Sequence, residues 1–131
     1  MIRVESPSNV VGSDIDGEEL LAAAAADGEV WVRCDDAAAA RAVVQRARSV
    51  GLGFASVVVE PPVGSIEGLV AEGLVVGYDA DRSGGEPGGA WEALLVAALY
   101  AGASRVRTVH TRSARRCADV VSALVHERAG S

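Results

Sequence analysis

The feature that most constrains the fold is a regular alternation of strand-like and helix-like segments. It is clearest in residues 74–126, where a short apolar run, a glycine-rich segment, an apolar helical segment, a second apolar run and a second helical segment follow in order. Strict β–α alternation is typical of a parallel sheet with crossover helices. The sequence therefore predicts an α/β protein, organised as one domain over residues 1–131.

The predicted strands are short and rich in valine. Residues 57–59 are three consecutive valines, and an apolar run without alternation is typical of a strand covered on both faces. Residues 10–16 are predicted to be loop. Five strands are expected, at residues 2–4, 30–32, 55–60, 75–78 and 106–110. A five-stranded parallel sheet of this kind can be partial (β/α) barrel-like or flavodoxin-like and doubly wound, and the periodicity does not choose between them.

Capping residues indicate where the helices begin and end. Asp16 is a plausible N-cap of the first helix, because its carboxylate can accept from free amide groups of the first turn. Either Asp35 or Asp36 can cap the second helix in the same way. Gly102 stands where a glycine that ends a helix is expected. The predicted helices cover residues 17–27, 37–50, 65–73, 90–101 and 113–128.

Composition excludes several classes of function. The net charge of −6 argues against a nucleic-acid or anionic-membrane partner, which would select a basic surface. All twelve basic residues are arginine, so no lysine can form a Schiff base or bind a phosphate. Cys34 and Cys117 have neither metal-binding nor redox spacing and are expected to be buried thiols. No signal sequence or membrane-length apolar run is present, so we expect a cytoplasmic protein. We also expect neither a bound metal nor a cofactor.

Candidate site residues follow from the rule that parallel α/β sheets bind ligands at the carboxyl ends of their strands. Glu60 ends an apolar strand, and it is either a bidentate acceptor for a ligand or a solvated loop residue. Arg107 can bind an anion, or it can form a salt bridge with Glu60 or Asp79. Asp79 and Asp81 together supply too few oxygens for a Mg²⁺ or Ca²⁺ site. His110 has no evident serine or cysteine partner, which argues against a hydrolytic triad.

Three segments carry a resemblance to a known family. Residues 57–62, residues 74–77 and residues 91–110 resemble, in order, the sixth, seventh and eighth strand regions of dihydropteroate synthase. That family is a (β/α)₈ barrel that condenses a pterin pyrophosphate with p-aminobenzoate. Residues 2–6 and the segment 16–32 resemble its fourth and fifth strands. The resemblance implies a pterin-like site formed by Glu60, Asp79, Arg82, Arg107 and His110.

The sequence also departs from the family pattern. The family's first three strands have no counterpart, and its Asp-Asn pair is not evident in residues 2–6. Its Asp-Pro-Gly turn is replaced by residues 60–62, Glu-Pro-Pro. Its Ser-Arg-Lys triplet falls on residues 79–81, Asp-Ala-Asp, with Arg82 the nearest basic residue. Its Arg-x-His-Asp signature becomes residues 107–110, Arg-Thr-Val-His.

These departures favour a non-catalytic, dihydropteroate-synthase-like protein that binds a pterin-like or other small ligand. The alternative is an interaction subunit that completes a barrel or oligomer with itself or with a partner chain, and an active pterin-transferring enzyme is the least favoured. A partial barrel is expected to leave one sheet face open to solvent, which favours a dimer. The expected contact surface is the last two helices, at Leu94, Leu95, Val121 and Leu124.

Overall fold

The predicted alternation of strands and helices is present in the computed structural model, which describes residues 1–6, 9–82 and 85–130. The strands are β1 (Arg3–Glu5), β2 (Val10–Gly12), β3 (Val30–Arg33), β4 (Val57–Glu60), β5 (Val75–Asp79) and β6 (Arg105–Arg107). The helices are α1 (Gly17–Asp27), α2 (Ala37–Ser49), α3 (Ile66–Ala71), α4 (Ala90–Tyr100) and α5 (Thr111–Gly130). Two 3₁₀ turns, Phe54–Ser56 and Val63–Ser65, precede β4 and α3. Among the described helices, none is both long and apolar enough to cross a membrane.

The described sheet has six strands, so the prediction of five was wrong. The additional strand is β2, in a segment predicted to be loop. It has only three residues, too few to show a periodic pattern, and its pairing with β3 makes it a strand. The predicted strand 106–110 was also too long, because regular pairing ends at Arg107. The predicted turn residues Pro7 and Ser8, and Ser83 and Gly84 of the glycine-rich loop, lie outside the described residues.

All strand pairs are parallel, in the order β1-β6-β5-β4-β3-β2. From β3 to β6 each strand lies beside the next one in the chain. Val32, Val59 and Val76 share one face of the sheet and pack in a core with residues of α1, α2 and α3. Val106 lies on the same face and packs with residues of α4 and α5. Because the helices cover one face, the doubly wound alternative is excluded.

The sheet is strongly curled. Its two edges, β1 and β2, are separated in the chain only by residues 6–9. Six flat strands would place those edges about 24 Å apart, whereas the five residue steps from Glu5 to Val10 span at most about 18 Å. Curling also explains why Arg3 on β1 lies 3.9 Å from Glu29 beside β3. The described edges do not pair with each other, so the sheet is not closed into a barrel.

Curling buries the concave face, which was expected to be open to solvent. Trp31 and Val58 on this face are 2% and 0% exposed, and Glu60 is 3% exposed. The expected contact surface on the last two helices also needs correction. Leu95 and Val121 are buried between α4 and α5, whereas Leu94 and Leu124 are 43% and 45% exposed.

Residues that were expected to cap the helices are found at the helix ends. The Asp16 side chain accepts a hydrogen bond from the Glu19 amide at 2.8 Å. Asp36, rather than Asp35, caps α2 by accepting from the Ala39 amide at 2.8 Å. Each such cap satisfies an amide donor of the first turn that has no partner within the helix. Gly102 follows α4 with φ +116°, a conformation that favours glycine.

Gly77 makes room for the indole of Trp31 on the concave face. A methyl group added to Gly77 would lie 2.4 Å from Cζ3 of Trp31 and 2.7 Å from a methyl carbon of Val58. Both neighbours are fully enclosed and have little space into which to move. The close approach of Trp31 to Gly77 of β5 therefore determines how the concave face packs.

We expect Gly77→Ala to destabilise the protein by about 1–3 kcal/mol, the usual cost of overpacking a core. Gly68→Ala in α3 is the matched control, because nothing lies within 4 Å of the added carbon. Alanine there should stabilise the helix by about 0.5–1 kcal/mol. Urea denaturation of both variants measures this. Equal effects of the two substitutions would show that the Trp31 contact does not restrict Gly77.

Candidate functional site

Four charged residues form the last positions of the four central strands. They are Arg33 of β3, Glu60 of β4, Asp79 of β5 and Arg107 of β6. Because parallel strands end at the same edge of a sheet, their side chains meet on the concave face. We call this group the strand-end tetrad. It contains two guanidinium and two carboxylate groups, so its formal charges balance.

Arg107 holds the tetrad together. Its Nε and one Nη lie 3.2 and 3.0 Å from Oε1 of Glu60, and the same Nη lies 2.8 Å from Oδ2 of Asp79. The guanidinium carbon is also 5.7 Å from the centre of the Trp31 ring, within the range of a cation–π contact. The salt-bridge interpretation of Arg107 is therefore what the structure shows, with Glu60 and Asp79 both as partners.

Arg33 is the tetrad member that was not identified from the sequence. Its Nη lies 3.6 Å from Oδ2 of Asp79 and its Nε lies 4.0 Å from Oε2 of Glu60. Its side chain is 45% exposed, so it forms the outer side of the tetrad. The signal that identifies Glu60, a polar residue directly after an apolar strand, applies equally to Arg33.

Glu60 is a buried carboxylate. Burial raises its pKa above the usual value of 4.5, and the charge and hydrogen bonds of Arg107 only partly oppose that effect. The two oxygens are not equally well bound. Oε1 accepts both short bonds from Arg107, whereas Oε2 has contacts of 3.4 Å to Arg107 and 4.0 Å to Arg33. Oε2 is therefore the oxygen best able to accept from a ligand.

Asp81 connects the loop after β5 to the segment after β6. Its carboxylate accepts from the Thr108 hydroxyl at 2.8 Å, the Val109 amide at 2.8 Å and the Trp91 indole at 3.4 Å. Burial by itself would raise the Asp81 pKa, but these hydrogen bonds more than offset it, so the pKa is lowered from 3.8. Asp81 thus has a connecting role that its sequence position did not indicate.

The other two predicted site residues lie outside the tetrad. His110 is partly buried, and its ring makes an edge contact with the Trp91 ring at 5.9 Å between centroids. Its amide donates to the Thr108 hydroxyl, so it belongs to the group around Asp81. Arg82 is exposed at the turn that follows Asp79. The structure therefore brings three of the five predicted residues together.

Cys34 lies next to the tetrad but is not a reactive thiol. Its amide donates to the Glu60 carbonyl at 3.0 Å. Burial, followed by the negative charge of Glu60, raises its pKa to about 11. A thiolate is the reactive form, so this thiol is inert near neutral pH. Cys117 is also buried, as the sequence predicted for both cysteines.

The structure belongs to a barrel-like class of α/β protein. This class has a curled parallel sheet, helices on the outer face of the sheet and charged groups at the strand ends. Within that class the chain has a dihydropteroate-synthase-like fold. Dihydropteroate synthase from Coxiella burnetii, solved with pteroic acid, has a TM-score of 0.63 and 13% identity over 94% of this chain and 66% of that one. The enzyme from Vibrio fischeri has 0.64 and 14%, over 95% and 60%. That from Yersinia pestis has 0.66 and 12%, over 94% and 68%.

The chain therefore spans about two thirds or less of the length of most of these enzymes. Identities of 12–15% establish a shared fold and nothing finer. No protein-family model matches the sequence, and no curated protein does.

We expect Arg107→Met to destabilise the protein by about 3–5 kcal/mol, because it leaves the Glu60 carboxylate buried without its main partner. The double variant Arg107→Met/Glu60→Leu should recover much of this loss, since Asp79 retains Arg33. Arg41→Met is the control, because it removes an ion pair with Glu72 whose side chains are 53% and 41% exposed. It should destabilise the protein far less than Arg107→Met does, because an exposed ion pair contributes little. Urea denaturation would contradict this role of Glu60 if the double variant were as unstable as Arg107→Met.

We expect Asp81→Asn to cost about 1–3 kcal/mol at neutral pH, because the amide cannot replace all three accepted hydrogen bonds. The lowered pKa of Asp81 means that its ionised form adds stability above pH 3.8, and that this stability is lost as the pH falls. The difference between Asp81→Asn and the parent protein should therefore shrink toward pH 3. Chemical denaturation at pH 7 and pH 3 measures it, with the exposed Asp119→Asn as control. A difference that stayed constant over this range would contradict an ionised Asp81.

Proposed function

We propose that this protein is a non-catalytic, dihydropteroate-synthase-like protein that binds a pterin-like small ligand at the strand-end tetrad. The observation that carries the proposal is the meeting of four charged side chains, two of them buried, at the carboxyl ends of the strands. Burying charges is costly, and clusters of this kind with a perturbed carboxylate concentrate at functional sites. The choice of a pterin-like ligand is supported by the Coxiella neighbour, which was solved with pteroic acid.

Glu60 is the proposed anchor. A pterin presents two N–H donors on one edge, and a carboxylate pairs with such an edge through both oxygens. Oε2 of Glu60 has contacts of only 3.4 and 4.0 Å within the tetrad, so it can take the first ligand hydrogen bond. Arg107 meanwhile keeps its 2.8 Å bond to Asp79. Ligand binding thus requires only that a ligand hydrogen bond replace part of the contact between Arg107 and Glu60.

The charges near the site support the non-catalytic part of the proposal. The reaction named by the resemblance releases pyrophosphate, whose developing charge requires cations, amide donors or a metal. The chain contains no lysine to fill the place of the family's lysine. Both tetrad arginines are already paired with carboxylates, and Asp81 adds a further negative charge. Arg82 differs from lysine in shape and hydrogen-bonding geometry.

We expect calorimetry with a reduced pterin to show binding that Glu60→Gln weakens by about 1.5–3 kcal/mol, the range for a hydrogen bond to a charged group. That range corresponds to a loss of roughly 10–150-fold in affinity. Glu67→Gln on the exposed side of α3 is the matched control and should bind like the parent protein. Thermal melts of each variant separate a loss of binding from a loss of folding.

Two results would contradict the proposal. The first is no heat with any pterin at millimolar concentration. The second is dihydropteroate formation from pterin pyrophosphate, p-aminobenzoate and Mg²⁺ that Arg107→Ala abolishes, since this would make the protein an enzyme.

A second candidate function is self-association through the last two helices. Among the described residues, ten large hydrophobic side chains are exposed, and five of them lie on α4 and α5. Two-fold dimers are the commonest soluble oligomers, and exposed apolar patches mark contact surfaces. The five residues are Leu94, Tyr100, Val120, Leu124 and Val125.

We expect light scattering at micromolar concentration to give a mass near twice 13.4 kDa. Leu124→Glu should reduce it to the monomer, because a charge would be buried in the contact. Leu21→Glu on α1 is the matched control, since Leu21 and Leu124 are 46% and 45% exposed. A monomeric parent protein would exclude the dimer.

A further inference from the structure

A large cavity lies at the end of the curled sheet opposite the tetrad, where β3 begins. It encloses about 740 Å³, within the usual range for small-molecule sites. Its lining residues are Arg3, Glu5, Asn9, Asp27, Gly28, Glu29, Trp31 and Ala55. We call it the amino-end cavity. The Trp31 side chain separates it from the tetrad, because its indole N–H donates to Glu29 while its ring contacts Arg107.

Three of the four charged lining residues, Arg3, Glu5 and Glu29, lie against one another, and the fourth, Asp27, is exposed. Arg3 lies 3.0 Å from Glu5 and 3.9 Å from Glu29, and Arg105 lies 3.8 Å from Glu29. Glu5 and Glu29 also lie against each other, and burial together with this neighbour raises the pKa of Glu5. Glu29 therefore has two guanidinium groups and one carboxylate as neighbours.

This arrangement leaves hydrogen-bonding capacity of both kinds. Arg3 supplies guanidinium donors to the lining, and the side-chain amide of Asn9 supplies both a donor and an acceptor. Glu5 and Glu29, in contrast, are acceptors placed against one another. A hydroxyl group is both a donor and an acceptor, so it can satisfy a guanidinium and a carboxylate together. Most of the lining side chains are planar groups that hydrogen-bond through two atoms, which suits pairs of adjacent hydroxyls.

We propose that the amino-end cavity binds a small, uncharged, polyhydroxylated ligand, such as a sugar or cyclitol. An apolar ligand is disfavoured because most of the lining is charged or polar. A single metal ion is also disfavoured, because the described acidic, histidine and cysteine side chains do not converge in groups of three that could hold one. Ionic ligands would have to break the internal pairs of Arg3, Glu5 and Glu29. This site is separate from the tetrad and does not depend on the pterin proposal.

Calorimetry and ligand-observed NMR with myo-inositol and ribose test the proposal, with putrescine as a cationic probe and glucuronate as an anionic one. We expect the neutral ligands to bind with dissociation constants in the millimolar range or below. Glu29→Gln should weaken them by about tenfold or more, because a hydrogen bond to a charged group is lost. Asn9→Ala is the milder second variant if Glu29→Gln fails to fold. Glu67→Gln is the control on the outer surface.

The proposal is overturned if neither polyol binds, if putrescine or glucuronate binds more tightly than both, or if neither Glu29→Gln nor Asn9→Ala weakens polyol binding. Competition with a reduced pterin distinguishes the two sites. Polyol binding should persist at saturating pterin, and displacement would place both ligands at one site and overturn the separate cavity. Polyol binding without any pterin binding would support this proposal and contradict the other.

Discussion

The structure depends on the burial of charged side chains on the concave face of a tightly curled sheet. An isolated ion in such a place would cost several kcal/mol, and ion pairing with good geometry is what makes the burial tolerable. Arg107 satisfies this condition with bonds to both Glu60 and Asp79 and a contact with Trp31. The apolar core lies on the other face, between valine-rich strands and the helices. The fold thus has one apolar face against the helices and a concave face where ion pairs lie beside the buried side chains of Trp31 and Val58.

Much of this arrangement was predictable from local sequence. Valine runs, the Asp16 cap and Gly102 identified most elements, because each acts within a few residues. The partners of Arg107 were among the stated alternatives, because parallel strands bring their carboxyl ends together. A partial barrel-like sheet was expected from the family resemblance rather than from residue periodicity, since the curl depends on pairing between β1 and β6 and between β2 and β3. A strand of three residues is too short to show a periodic pattern that would predict such pairing.

The same reason explains what was missed at the site. Asp81 was considered only as a metal ligand together with Asp79, yet three donors converge on it from α4 and the segment after β6. Arg33 was overlooked although it follows an apolar strand as Glu60 does, because nothing in β3 itself indicates that β4 and β5 place carboxylates beside it. Buried concave residues such as Trp31 depend on curvature, and curvature is a property of the whole sheet.

The positions of the two tryptophans give the protein a built-in optical reporter. The chain contains only Trp31 and Trp91. Trp31 lies between the tetrad and the amino-end cavity, whereas the Trp91 indole bonds to Asp81 at the loops beyond the tetrad. Replacing either one with phenylalanine would leave a single fluorophore whose emission depends on its own surroundings. Events inside the curled sheet and events in its loops are therefore separable by intrinsic fluorescence, without an added dye.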